Sequence, residues 1–541
     1  MLLLFSAFPS YAASWPQYLG PSRTGCTPQT IPPEAVDGQK EPVQSWRVST
    51  GAGQAQPIVV DGAVYSWGVF DVGSDPRHDA VGSTPENLGS FWSKQRKEKG
   101  GYPYDAWLTA VDLHAGEVKW RTQLSKEELY NDQCPPHASP LYYDGKVFIH
   151  TPEYLIAINA ETGEIVWKHH LPEKIDKRIW LFAGFSAPIE AQGQIIVSYA
   201  RNEENDFIAA RGKETALTAF NPEGAVLWTH TLGGEDKGFA PSMASPSQGV
   251  IDGKHTIVQT TGHATVGVDA STGDRLWMFR HSDHFPDLLE SAANVDPETG
   301  KINRPGFWWR RYGQTNPAAL VSEDGIVVDR VWSGHGTRGS RMYGFEVRDG
   351  EPSLLWETQE LLNRWDPGVI DQGRYYGIDM RGFTHMNNVE QPRHPRPKDL
   401  GQIQCYDLAT GKLVWSSNEL PQNAGLHQEE PRRGKSRLTP ENWAELPKEH
   451  IYNYGGGPTF TIAGGTFVLR GNQASGSGLL FARITDDGLQ RLGAREFVQG
   501  NAAFGKPVVA AEHILLKLDD ETRGGPEGSG NLICFDLKPQ S

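Results

Sequence analysis

One phrase, repeated along the whole chain, constrains this sequence more than any other feature. An apolar run ends in Asp or Asn, a Gly turn follows, and Trp stands about four residues after the Gly. It reads LTAVDLHAGEVKW at 108–120, LIAINAETGEIVW at 155–167, LTAFNPEGAVLW at 217–228 and TVGVDASTGDRLW at 265–277. It returns as MYGFEVRDGEPSLLW at 342–356 and IQCYDLATGKLVW at 403–415. A worn copy at 479–492 carries Leu492 in the Trp position, and an eighth start, LICFDL at 532–537, runs out of chain. A Pro opens the strand pair ahead of each copy, at 57, 140, 188, 246, 317, 367, 458 and 507. Repetition at this period means one supersecondary unit stacked on itself. The alternation and tight turns make each unit four short strands, A to D.

The eighth unit lacks its D strand, while residues 45–49 (SWRVS) form an orphan strand with Trp46 in the motif position. The spare piece matches the missing one. An open stack would leave long sheet edges exposed, and a closed ring leaves only short protected ones. The expected fold is therefore all-β: an eight-bladed β-propeller of four-stranded antiparallel blades over 45–537, closed by the N-terminal strand. Residues 13–44 become an N-terminal extension and 538–541 a tail.

Within the repeat, Gly permits the left-handed turn and Trp supplies a plate between blades with an N–H that seeks an acceptor. Seven of the 17 Trp are used in this way, Trp46, Trp120, Trp167, Trp228, Trp277, Trp356 and Trp415. They are scaffold. Cys405 and Cys534 fall in a column otherwise held by Ala110, Ala157, Ala219, Gly267, Gly344 and Ala482, so they are expected to be buried space-fillers. The other two cysteines, Cys26 and Cys134, lie outside the strands, and pairing between them is left open.

The A–B turns are minimal, among them Asp61-Gly62, Asp144-Gly145 and Asp252-Gly253, whereas the long connections 68–106, 281–313, 380–401 and 416–455 all open on the opposite face. Long loops on a compact scaffold usually carry function. Residues just ahead of the A strands should ring the axis there. The candidates for ligand binding are His137, Gln314, Asn316, Arg364, Trp365, Tyr454 and Lys506, with Gln54, Gln56, Phe185, Ser186, Met243 and Phe504 beside them. From the B–C loops come His263, His335, Arg338, Arg341 and His385. Asp366 is the one acid of the A-strand ring. Such a mouth suits a small polar or anionic ligand, or a glycan stacked on loop Trp residues such as Trp92, Trp180, Trp308, Trp309, Trp332 and Trp443.

With 51 Lys and Arg against 66 Asp and Glu, the chain is no general nucleic-acid binder. It also lacks the roughly 18 consecutive apolar residues of a membrane span. Residues 1–12, apolar and ending in Ser10-Tyr11-Ala12, read as a short export signal, which implies a periplasmic or secreted protein. NVDPETGKIN at 294–303 resembles a calcium loop only loosely, and KQRKEK at 94–99 reads as a solvated loop.

The repeat resembles the tryptophan-docking motif of pyrroloquinoline-quinone (PQQ) propeller proteins, and WPQYLGPSRTG at 15–25 is similar to the start of many bacterial PQQ-like repeat proteins. The resemblance implies the ring. It also implies competing functions, because the family holds both PQQ- and Ca²⁺-dependent alcohol or sugar dehydrogenases and the cofactor-free scaffold BamB, an envelope-protein partner. The adjacent cysteines and CxxCH haem site found in some dehydrogenases are absent from this sequence. On the dehydrogenase reading, Asp366 would be the general base, Lys506 or Arg364 would neutralise PQQ, and Asn316 would help hold a cation. Three readings result: a ligand- or protein-binding module without an assured cofactor, a PQQ dehydrogenase, and a carbohydrate-active or glycan-binding propeller.

Overall fold

A computed structural model describes residues 14–36, 42–77, 102–130, 137–171, 186–201, 214–232, 244–261, 264–285, 318–331, 341–358, 366–379, 402–416, 459–473, 476–497, 505–518 and 531–538. They form eight sheets, each with an antiparallel A-B-C-D order, closed into an eight-bladed β-propeller. Blade one runs from strand A, Ile58–Val60, to strand D, Val118–Tyr130. Blade eight combines Val508–Ala510, His513–Lys517 and Leu532–Asp536 with the N-terminal strand Val43–Val48. Trp46 pairs with Cys534 in that last strand pair and Val48 with Leu532, so the two chain ends share one blade, as the orphan strand requires.

The turns explain why the sequence folds this way. Asp61, Asp144 and Asp252 have φ near 50°, and the following Gly62, Gly145 and Gly253 lie at 71–72°. Two consecutive left-handed residues make the two-residue hairpin whose twist matches its strands. In the C–D turns the side chains of Asp112, Asn159 and Asp269 accept backbone N–H groups two and three residues on, which is the local bonding Asp and Asn favour.

The docking tryptophans act as expected. Five of the indoles reach the C–D turn of the next blade: Trp46 donates to Leu113 O at 2.7 Å, Trp120 to Ala160 O at 3.2 Å, Trp167 to Pro222 O at 2.9 Å and Trp356 to Leu408 O at 2.7 Å. Trp228 likewise donates to Ala270 O at 3.2 Å. Trp277 breaks the pattern, and its buried indole N–H has no acceptor. Blade five, which it meets, carries the turn with two extra residues. The small column is explained by register: Ala110, Ala157, Ala219, Gly267, Gly344, Cys405 and Cys534 each stand opposite the docking Trp of their own blade. Cys405 and Cys534 are buried free thiols, and burial raises both.

The N-terminal extension adds something the repeat does not announce. Residues from Trp15 to Thr27 run along the inner strands, where they fill the axis. Trp15 exchanges backbone hydrogen bonds with Val59 of blade one, Tyr142 N of blade two donates to Pro16 O, and Ile370 N of blade six donates to Thr24 O. Cys26–Thr27 then adds a fifth strand to blade seven, parallel to its A strand Thr459–Ala463. Trp15 and Leu19 are fully buried. Ile31, Ala35 and Val36 pack between blades seven and eight before the chain reaches its closing strand. Cys26 is a free thiol; Cys134 lies outside the described residues.

Candidate functional site at the axial mouth

The residue before each strand-opening Pro forms a column in the sequence: Gln56, Ser139, Ala187, Ser245, Asn316, Asp366, Gly457 and Lys506. Among the described residues, Gln56, Ser139, Ala187, Ser245, Asp366 and Lys506 of this column are all buried. Where the column meets the N-terminal segment it forms a collar around it. Gln56 accepts Leu19 N at 3.3 Å and donates to Lys506 O at 3.2 Å. Arg23, held in the left-handed region at φ 59°, donates to Pro246 O at 2.6 Å and to Gln17 at 3.1 Å. Gly25 sits so close to Val369 and Lys506 that a side chain there would collide with the valine.

Asp366 and Lys506 meet directly. Lys506 Nζ lies 2.6 Å from Asp366 Oδ1 and also donates to Gly368 O at 3.0 Å and Phe460 O at 2.8 Å. Asp366 Oδ1 accepts Gly368 N at 2.7 Å and Oδ2 accepts Phe460 N at 3.1 Å. The pair thus stitches blades six, seven and eight together. Burial pulls the Lys506 ammonium below its ordinary range, against the pull of Asp366. Arg330, from the end of a blade-five B strand, donates to the Asp366 carbonyl at 2.8 Å. Burial raises the Tyr18 phenol, and Asp366 adds to the rise while Arg330 and Arg23 oppose it. Burial also pulls Arg23 down to about 10.

The geometry changes what two expected site residues can do. Both oxygens of Asp366 are engaged, so the general-base role expected for it would require the ion pair to open first. Lys506 is a structural staple as much as a cation for a ligand. The third described residue, His137, is pulled down by burial to about 3, which favours the neutral imidazole. Gln314, Asn316, Arg364, Trp365 and Tyr454 lie outside the described residues, as do the loop tryptophans named above, Phe185, Met243, Phe504, His263, His335, Arg338 and His385. Arg341 is described and buried, with Glu357 at 3.5 Å. Arg23, Tyr18 and Arg330 were missed by the sequence reading. The first two sit in a segment without strand periodicity, and Arg330 is hidden inside an apolar strand.

A PQQ–calcium centre would need carboxylates open to the cation. Among the described residues no three His, Cys, Asp or Glu converge as a metal site, and the acid of the collar is bound to a lysine. Asp366, held by Lys506, does not fit a calcium ligand beside a quinone as it stands.

A family model described as outer membrane protein assembly factor BamB matches residues 104–284. A tetrathionate hydrolase of Acidithiobacillus ferrooxidans is 24% identical over 379 residues, covering 61% of this chain and 70% of the relative. A tetrathionate hydrolase of Acidianus ambivalens is 30% identical over 159 residues, and the match spans a quarter of that relative, 25% of its length. In structure, a europium-containing methanol dehydrogenase aligns with a TM-score of 0.56 at 11% identity, covering 97% of this chain and 98% of the other. A quinohaemoprotein alcohol dehydrogenase from Comamonas testosteroni aligns with a TM-score of 0.52 at 14% identity, covering 98% and 82%. In fold this chain is an eight-bladed β-propeller, similar over residues 104–284 to the BamB family model and in overall structure to the two dehydrogenases.

Proposed function

We propose that the protein is an exported binding module that takes a small anionic ligand at the loop-rich mouth of its axis. One observation carries the reading. The N-terminal segment fills the axis, and Arg23, Arg330 and Lys506 gather around it, with Asp366 against Lys506, Glu190 near Arg23 and Asp329 beside Arg330, in a chain whose net charge is −15. Three cations drawn to one end of the axis of an acidic protein give an anion a local attraction that the rest of the surface lacks. Gln314, Asn316, Arg364, Trp365 and Tyr454 would complete the wall above it. Export rests on residues 1–12.

A second reading follows from the relatives named tetrathionate hydrolases. Tetrathionate is a small dianion, so the same cations would serve a polythionate-cleaving enzyme. The PQQ dehydrogenase reading keeps its support in fold alone, and the glycan reading rests on loop tryptophans outside the described residues. A thermal-shift panel of sulfate, thiosulfate, tetrathionate, PQQ and neutral oligosaccharides, followed by a tetrathionate-consumption assay, tests these readings together. Stabilisation by dianions that weakens with added salt supports the proposal. Stabilisation by neutral sugars alone would refute it.

A further inference from the structure

The seam between blades eight and one joins the blade that holds both chain ends to the first complete repeat. Blade eight brings Trp46 to it, docked on the Leu113 carbonyl, and His513, which begins a B strand. Blade one brings its C–D turn, where His114 follows Leu113. His114 Nδ1 and His513 Nε2 are 3.1 Å apart. The equivalent turn positions in other blades hold Glu161, Ser271 and Ala409, so no other repeat carries histidine there.

We propose that the His114–His513 pair is an acid-sensitive latch on the ring seam. One proton must lie between the two nitrogens for the contact to hold. His513 is buried, and its Nδ1 has no partner. The arrangement that avoids a stranded N–H puts hydrogen on Nε2, which donates to His114 Nδ1. A second proton on the pair has no good place. It either sets two N–H groups against each other or forces a buried, unbonded N–H onto His513, and with both rings charged it places two cations about 3 Å apart.

The surrounding charges do not remove this conflict. Asp536 and Glu512 favour a proton on His513, while burial, His114 and Lys538 oppose it, and the net direction is downward. Asp112 lies beneath His114, but its Oδ1 is taken by the backbone N–H groups of His114 and Ala115. Lys538 is itself 3.4 Å from Glu512. A histidine lowered in the folded state gives stability that is complete above the ordinary imidazole value near 6.5 and is lost as pH falls below it.

Hydrogen exchange on the full chain at pH 7.5 and 5.5, corrected for the intrinsic rate, tests the latch. Peptides covering 43–48 and 532–536 should lose protection at the lower pH, by at most about tenfold for one proton's linkage between 6.5 and 5.5, while the blade-five strand 327–331 changes less. His513→Gln offers an amide donor to His114 and cannot be protonated, and in that variant the seam loss should largely vanish. His114→Asn keeps an acceptor for His513 but leaves that ring titratable, so the loss should only shrink. A wild-type seam indifferent to pH would overturn the proposal. So would equal losses at the seam and in blade five, or an undiminished seam loss in the folded variants.

Discussion

Lys506 Nζ lies 2.6 Å from Asp366 Oδ1, and the two side chains are 1% and 0% exposed. A lysine from the entry to blade eight and an aspartate from the entry to blade six thus meet over blade seven, whose own collar position is Gly457 in the sequence. The sequence alone suggested two ligand-facing charges; their burial as a pair gives both a structural part as well.

Asp366→Asn or Lys506→Met should each lower stability by about 3–5 kcal/mol, the usual cost of leaving one member of a buried pair alone. Replacing both should recover part of the loss. Urea melts of the three variants check this, and additive losses would mean that the two charges are not coupled.

The small column gives a graded series. Cys405→Ala and Cys534→Ala should cost at most about 1 kcal/mol, because alanine already fills the position in other blades. Gly267→Ala should cost more, about 1–3 kcal/mol from overpacking, since its Cβ would overlap the Trp277 ring. Thermal melts give the order directly.

How much of this was legible follows from the same residues. Trp46, the Gly turns and the small column repeat, so each copy corroborates the others, and the ring follows from counting strands. The axis plug was not legible because it occurs once. Leu19 and Arg23 adopt left-handed backbone at φ 65° and 59° without being glycine, and nothing periodic marks Trp15–Thr27. A signal did exist. Buried-type residues such as Trp15 and Leu19 had no strand to serve, and the column ahead of the prolines carries one acid and one lysine. The loops of the mouth gave residue types without geometry.

Acid should weaken the whole ring as well as its seam. His150 is buried, donates Nδ1–H to Ser186 O at 2.7 Å, and is lowered to about 4, chiefly by burial. The folded state therefore binds fewer protons than the unfolded one below pH 6.5, and stability is lost from there down toward pH 4, at up to about 1.4 kcal/mol per unit. His150→Gln should flatten that slope in urea melts between pH 7.5 and 5.0. A slope unchanged by the substitution would show that His150 titrates normally in the fold.

Closure by the N-terminal strand makes a coarser prediction. Removing residues 1–49 deletes strand D of blade eight, the Trp46 plate and the axis plug together. The truncated chain should aggregate or melt far below the intact one, as a light-scattering melt would report. An unchanged melting curve would contradict the closed ring.

The central claim, an anion site at the loop-rich mouth, is tested most directly by calorimetric titration of the intact protein with tetrathionate at low and high salt. Saturable binding should weaken with salt. Arg330→Met should reduce affinity by roughly ten- to a hundredfold, the loss of one charge-assisted contact of about 1.5–3 kcal/mol. Asp144→Asn, on the short-turn face, should leave binding unchanged. Salt-independent binding, or binding lost in Asp144→Asn and kept in Arg330→Met, would place the functional face on the wrong side of the ring.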